Sequence, residues 1–494
     1  MNLLAAIDDP NLFGPWFKDP GTWQAWRAFL CALFGLPMTE EQLEVFACCT
    51  GRSTAPTAPF NEAYLVCGRR AGKSAMLALV AVYLATFKNY SPYLAPGERG
   101  TIAIISADRK QARVIFRYLA SLLRDVPMLA QLIERETAES FDLTNRVTIE
   151  VSTASYRTAR GYTFVAILAD ELAFWRSDDS ANPDTEVLAA VRPGMGTIPG
   201  AMLLCASSPY ARRGALFEAF QRYHGDDNGP VLVWKAPTRA MNPTMSQRTI
   251  DEAMERDPAA AAAEYGAEFR RDIESFVNIE AVRACVTAGV RERPADRQWR
   301  YVAFVDPSGG SSDSMTLAIA HKEGNTCILD TVREVPAPFS PEAAVAEFSD
   351  LLKQYRIVRV TGDRYGGEWP PEAFRKCGIV YVPSEKTKSQ LYIDLLPLIN
   401  SRAVDLLDHD KAVLQLVGLE RRTARGGRDS IDHAPGAHDD IANAIAGSLS
   451  LANELRGNYL DFRRQPKPLR VPIVIPRWRQ TDPLNPNTNW MMRR

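Results

Sequence analysis

Five short apolar runs, at 63–67, 101–107, 147–152, 165–169 and 202–206, each stop at polar residues, and amphipathic helical stretches alternate with several of them. Strands that are apolar along their whole length are buried on both faces, which calls for a parallel sheet covered by helices on either side. In such sheets ligand chemistry gathers beyond the carboxyl ends of the strands. A second series begins after residue 300, with strands at 301–305, 315–321 and 326–333, a helix at 341–354 and a strand at 357–361. Three strands, a helix and a further strand is a different α/β order, so the chain is expected to hold two domains. Its 494 residues are too many for one ordinary core.

The net charge of -1 excludes a globally basic nucleic-acid binder and leaves any such surface local. Eight cysteines are scattered without C-x-x-C pairs, which favours reduced thiols over disulfides or a zinc site. The first ten residues lack the charged and apolar regions of a secretion signal, and no apolar run is long enough to cross a bilayer. These features predict a soluble, intracellular protein.

Residues 66–74 read V-C-G-R-R-A-G-K-S. A phosphate loop needs small residues, so that backbone N–H groups can face an anion, and a strand-to-helix transition behind them. The strand at 63–67 and a helix predicted over 73–87 supply that transition. Gly72, Lys73 and Ser74 stand where G-x-x-x-x-G-K-[ST] requires them, but Cys67 replaces the first glycine and Gly68 arrives one position late. In this reading Lys73 reaches the β- and γ-phosphates of ATP and Ser74 ligates Mg²⁺. The stretch F-V-A-I-L-A-D-E (164–171) ends a strand on Asp170, a metal-holding acid, and Glu171, a base for the attacking water. C-A-S-S-P (205–209) offers Ser207 or Ser208 as a γ-phosphate sensor. Gln42, three residues after Thr39, has two readings: an amide that reads adenine, or part of a helix cap.

The second half carries carboxylates at element ends: Asp306 in V-D-P-S-G-G, Asp363 in T-G-D-R-Y, and Asp439 and Asp440 at the start of a late helix. Acids that are distant in sequence but equivalent in position can converge on one sheet face. Their mutual repulsion suits a pair of Mg²⁺ or Mn²⁺ ions, which can cleave a phosphodiester. Asp313, His433 and His438 are possible additions, and the choice between Asp439 and Asp440 stays open.

The ordered motifs W-x-x-W (Trp23, Trp26), G-R-R-A-G-K-S, A-D-E-L-A-F-W, C-A-S-S-P, E-Y-G-A-E-F-R-R-D, G-D-R-Y-G-G-E-W and G-A-H-D-D-I-A-N-A resemble those of the large terminase subunit of tailed bacteriophages. The resemblance covers about residues 10–455. It implies an N-terminal P-loop ATPase over 1–275, with a helical lead-in and a mostly parallel sheet. A linker at 276–298, a ribonuclease H-like nuclease over 299–455 and a basic, Pro-rich tail at 456–494 would follow. It implies ATP-driven translocation of double-stranded DNA into a procapsid and metal-dependent cutting of concatemers. The implied setting is the cytoplasm of a bacterial host, without a membrane role. The implied partners are double-stranded DNA, a portal protein, a small terminase subunit and a homo-oligomeric ring, typically a pentamer. In that family the loop commonly lacks its first glycine and carries an arginine four residues before the lysine. Arg69 fills that place and would contact the γ-phosphate. Arg160, Arg212 and Arg213 are candidates for an arginine donated to a neighbouring subunit. The competing reading is an ATP-dependent helicase or translocase without nuclease activity, in which Asp306, Asp363 and Asp440 are turn and cap residues.

Overall fold

Eight strands form the first sheet: β1 (Glu62–Cys67), β2 (Gly100–Ser106), β3 (Ile133–Glu136), β4 (Ser140–Leu143), β5 (Val147–Thr153), β6 (Thr163–Asp170), β7 (Met202–Ser207) and β8 (Leu232–Ala236). Their order is β3-β4-β5-β2-β6-β7-β1-β8. All pairs from β5 to β8 are parallel, and only the β3–β4–β5 edge is antiparallel. The computed structural model describes residues 1–153, 161–175, 183–311, 313–364, 369–423 and 429–455. The basic tail expected at 456–494 lies outside the described residues.

Burial follows the expected logic of a two-sided sheet. Along β1, Ala63, Leu65 and Cys67 join one apolar cluster, while Tyr64 and Val66 join another on the opposite face. The helix Lys73–Phe87 lies in the first cluster, and Pro20–Phe34 packs there through Trp26 and Phe29. The sheet therefore presents the ends of β1, β6 and β7 side by side at one edge.

A short strand, β9 (Ile273–Ser275), closes the first half. The helix before it spans Pro258–Glu264. It stops because the carbonyls of Glu264 and Tyr265 turn away to accept from Arg69 N and Thr238 N, and Ala267 takes a left-handed φ of 58°.

The second sheet contains β10 (Val302–Asp306), β11 (Met315–Glu323), β12 (Thr326–Val335), β13 (Arg359–Gly362), β14 (Val380–Pro383) and β15 (Val404–Asp405), in the order β14-β13-β10-β11-β12-β15. β10–β11–β12 are antiparallel, and β13 and β14 join β10 in parallel. The fold class is thus mixed α/β, a large mostly parallel sheet followed by a six-stranded mixed sheet. The helix Asp440–Glu454 covers this sheet and is buried along most of its length. Gly447 lets it approach, since a Cβ there would stand 2.2 Å from the Phe304 ring.

Within 276–298, Phe276, Val277, Val282 and Cys285 belong to the same apolar cluster as that helix. Two further strands, β16 (Leu419–Thr423) and β17 (Asp429–His433), pair antiparallel, and β9 adds to β16. A strand from the end of the first half thereby extends a sheet of the second. At that junction Glu420, fully buried, accepts from Tyr210 Oη at 2.7 Å and is ion-paired to Arg213. Among the described residues no helix is long and apolar enough to cross a membrane.

Candidate active sites

The turn between β1 and the helix Lys73–Phe87 alternates its backbone sign. Arg70 has φ 66° and Gly72 φ 102°. Such an alternation folds successive N–H groups into one concavity suited to an anion. Lys73, only 5% exposed, sits in that turn. Its Nζ donates to Cys67 O (3.2 Å), Gly68 O (3.3 Å) and Ser208 Oγ (3.0 Å), and is 3.3 Å from Glu171 Oε1. An ammonium can be buried here because carbonyls and a carboxylate replace its water.

Asp170 ends β6 beside the turn, where Ser74 Oγ donates to its Oδ2 at 3.3 Å. Burial pushes the Asp170 carboxyl up to about 7; the Glu171 charge adds to this, while Lys73 and Ser74 oppose it. Its Oδ1 is buried and among the described residues lacks a hydrogen-bond partner. A buried carboxylate oxygen without a donor, next to a hydroxyl, fits a hard divalent cation. Glu171 occupies a left-handed φ of 50°, unusual for a residue with a side chain. Its Oε2 accepts from Ser207 Oγ and Ser208 N, each at 3.2 Å. The two acids, the lysine and both serines of C-A-S-S-P therefore meet at one edge of the sheet.

Two other residues considered for this site lie differently. Arg69 is 64% exposed and pairs with Glu264 at 3.2 Å. Gln42 closes a capping box with Thr39, accepting from Thr39 N at 3.0 Å, and among the described residues it makes no hydrogen bond to the turn 68–72. Of the three arginines considered for a neighbouring subunit, Arg213 is held by Glu420 within the chain. Arg212 is exposed without an ion pair among the described residues, and Arg160 lies outside them.

In the second half, Asp306 ends β10 and Asp363 follows its parallel neighbour β13, so the two acids leave adjacent strands in the same direction. Burial raises the Asp306 carboxyl well above 3.8, and the charges of Asp363, Asp440 and Asp439 reinforce the rise. Burial likewise raises Asp363, against a hydrogen bond from Asn443 Nδ2 at 2.6 Å and the charge of Lys388. Asp440 is raised by burial and by Asp439. These acids hold protons more tightly than free ones because they are buried and, secondarily, because negative charge is crowded there, and a cation would relieve that crowding.

Asp439 faces another way. Its carboxylate, 4% exposed, accepts from Tyr392 Oη at 2.7 Å and pairs with Lys388 Nζ at 2.9 Å. Lys388 also pairs with Asp432 at 3.1 Å, and His433 Nε2 is 3.9 Å from Asp439. Asp432, His433 and Asp439 could together surround a metal, but Lys388 already supplies a cation to both acids. His438 and Asp313 lie 3.9 Å apart at the exposed rim.

Motif reading passed over Lys388, Tyr392, Asp432 and Asn443. Asn443 carried a usable signal, being one helical turn after Asp440. Lys388 and Tyr392 carried none, since nothing in their helix marks which side chains meet a carboxylate 51 and 47 residues away.

No protein-family model and no curated protein matches the chain. Several solved structures are similar. The HK97 bacteriophage large terminase is 15% identical with a TM-score of 0.37, and the match covers 87% of this chain and 99% of that one. A large terminase from a thermophilic bacteriophage is 10% identical with a TM-score of 0.37, covering 84% and 98%. The large terminase nuclease of thermophilic phage G20c with bound magnesium is 18% identical with a TM-score of 0.32, covering 36% and 96%.

Proposed function

We propose that the chain is a DNA-packaging motor of the large-terminase type. It would hydrolyse ATP in its first half to translocate double-stranded DNA into a procapsid, and cut concatemeric DNA in its second. The observation that carries this reading is the presence in one chain of two complementary phosphate chemistries. One is the Lys73, Ser74, Asp170 and Glu171 constellation at the ends of β1 and β6; the other is the Asp306, Asp363 and Asp440 cluster at the ends of β10 and β13. The ordered motifs quoted above join them.

In the ATP site Lys73 holds the β- and γ-phosphates, and the N–H groups of the turn, with Gly68 and Gly72 in it, face them. Glu171, fixed by Ser207 and Ser208, orients the attacking water and takes its proton. Among the described residues the Arg69 guanidinium is restrained only by an exposed pair, which is weak enough to yield when it turns to the γ-phosphate. Ser74 and Asp170 would hold Mg²⁺, which when bound offsets the phosphate charge.

In the nuclease site Asp306, Asp363 and Asp440 would hold Mg²⁺ or Mn²⁺, and that metal would supply water activation and leaving-group stabilisation. Asp439 is assigned to positioning, because Lys388 and Tyr392 already occupy its oxygens. Double-stranded DNA, a portal protein, a small terminase subunit and a ring of copies are the partners this role requires. Arg212 is the arginine best placed to serve a neighbour, being exposed and unpaired among the described residues.

The test uses the full chain with ATP and plasmid DNA, in Mg²⁺ or Mn²⁺. Glu171→Gln should bind ATP yet turn it over about 10²–10⁴-fold more slowly. Asp363→Asn should keep ATP turnover and lose cutting. Wild-type protein that hydrolyses ATP but cuts DNA in neither metal would instead favour a translocase without its own nuclease.

A further inference from the structure

Three successive carbonyls of the phosphate loop are each held from outside it. Thr238 Oγ1 donates to Arg69 O at 2.8 Å, Asn242 Nδ2 to Arg70 O at 2.9 Å, and Trp26 Nε1 to Ala71 O at 3.0 Å. A peptide unit whose carbonyl is turned outward points the following N–H the opposite way. Among the described residues the N–H groups of Arg70, Gly72, Lys73 and Ser74 make no backbone hydrogen bond, so the loop's interior is lined by free donors.

The donors are themselves rigidly placed. Thr238 is fully buried, and its own N–H donates to Tyr265 O at 2.8 Å. Asn242 N donates to Thr238 O at 2.8 Å, and its Oδ1 accepts from Thr244. Trp26 is 1% exposed and stacks edge-on with Phe29.

The late glycine follows from this arrangement. A Cβ at residue 68 would lie 2.2 Å from Thr238 Oγ1 and 2.9 Å from Tyr265 O. Backbone from 238 and 265 presses on the loop at residue 68, so that is where glycine is needed. Cys67 is still part of β1, with its side chain in the first apolar cluster.

We propose that Trp26, Thr238 and Asn242 are positioning residues that orient the phosphate loop, and that Gly68 is the residue whose missing side chain admits the Thr238 contact. The proposal rests on the ATP reading of the site and adds which residues outside the loop set its affinity for phosphate. It also gives a role to W-x-x-W and to the Glu264-Tyr265 part of E-Y-G-A-E-F-R-R-D.

The experiment is competition against ATP hydrolysis by the full chain, with pyrophosphate and adenosine as separate competitors. Thr238→Val keeps the side chain's shape and removes its hydroxyl. It should raise the inhibition constant of pyrophosphate and the KM for ATP by about tenfold, the scale of one hydrogen bond. It should leave kcat and the adenosine constant unchanged, because ground-state and transition-state phosphates lose the same contact. Thr238→Ser, which restores a hydroxyl, should restore the affinity. Asn242→Ala, at a partly exposed position, should behave as Thr238→Val does. Unchanged pyrophosphate affinity in both variants would overturn the proposal. An equal loss for pyrophosphate and adenosine would also do so, since that marks general loosening. A wild-type chain that neither binds nor hydrolyses ATP would instead strike at the reading of the site itself.

Discussion

The two candidate sites treat charge in opposite ways. At the phosphate loop a buried lysine stands among carbonyls, Ser208 and Glu171, and among the described residues the N–H groups of Arg70, Gly72, Lys73 and Ser74 make no backbone hydrogen bond. That site is built to receive an anion. At the ends of β10 and β13 several carboxylates crowd together, and the nearby cation, Lys388, is spent on Asp439 and Asp432. Burial and mutual repulsion leave Asp306, Asp363 and Asp440 with raised pKa values. A divalent cation would offset that crowding. The lesson is that functional residues need not be stabilising: under the proposed nuclease role the acid cluster would give up stability for metal affinity.

That contrast can be broken at its strongest point by Asp306→Asn. The substitution should abolish metal-dependent cutting while raising the melting temperature of the metal-free chain by a few degrees, the scale of about 1 kcal/mol. A lower melting temperature would mean that the cluster is not under electrostatic strain.

Lys388→Met probes the one balanced corner of the same site. It would strand the buried Asp439 and should cost about 3 kcal/mol in chemical denaturation, as when one member of a buried pair is removed. Stability within error of wild type would show that Tyr392 alone suffices for Asp439.

A pH series sharpens the comparison further. An unfolded Asp170 titrates near 3.8 and the folded one near 7. A carboxyl raised on folding contributes stability that is complete below about 3.8 and is lost as pH rises through the folded value. Asp306 is raised in the same direction. The melting-temperature advantage of Asp306→Asn over wild type should therefore vanish near pH 4 and grow with pH, and added Mg²⁺ should shrink it. An advantage independent of pH would rule out protonation as its source.

The smallest effect is expected at Gln42. Loss of the capping box in Gln42→Ala should cost about 0.5–1 kcal/mol and leave the preference for ATP over GTP intact. A changed nucleotide preference would return the amide to adenine reading.

Much of the architecture was legible in the amino-acid order because its signals are local. Largely apolar runs marked β1, β2, β6 and β7, and apolar–polar alternation marked β5, within a residue or two at most boundaries, and acids at strand ends marked Asp170, Glu171, Asp306 and Asp363. The end of helix 258–264 was not legible, because the Glu264 and Tyr265 carbonyls that close it accept from Arg69 N and Thr238 N, far away in the chain.

Sequence alone, then, determined the two α/β halves, the residue types at the strand ends and the late glycine as an oddity, since periodicity and backbone preference act over a few residues. Only the tertiary structure decided that Gly68 faces Thr238, that Asp439 belongs to Lys388 and Tyr392, and that Arg213 is held by Glu420. Each of those contacts joins residues tens to hundreds of positions apart. The physical reason is that a buried polar group takes whichever partner the packed chain brings within about 3 Å, and no local pattern records that choice.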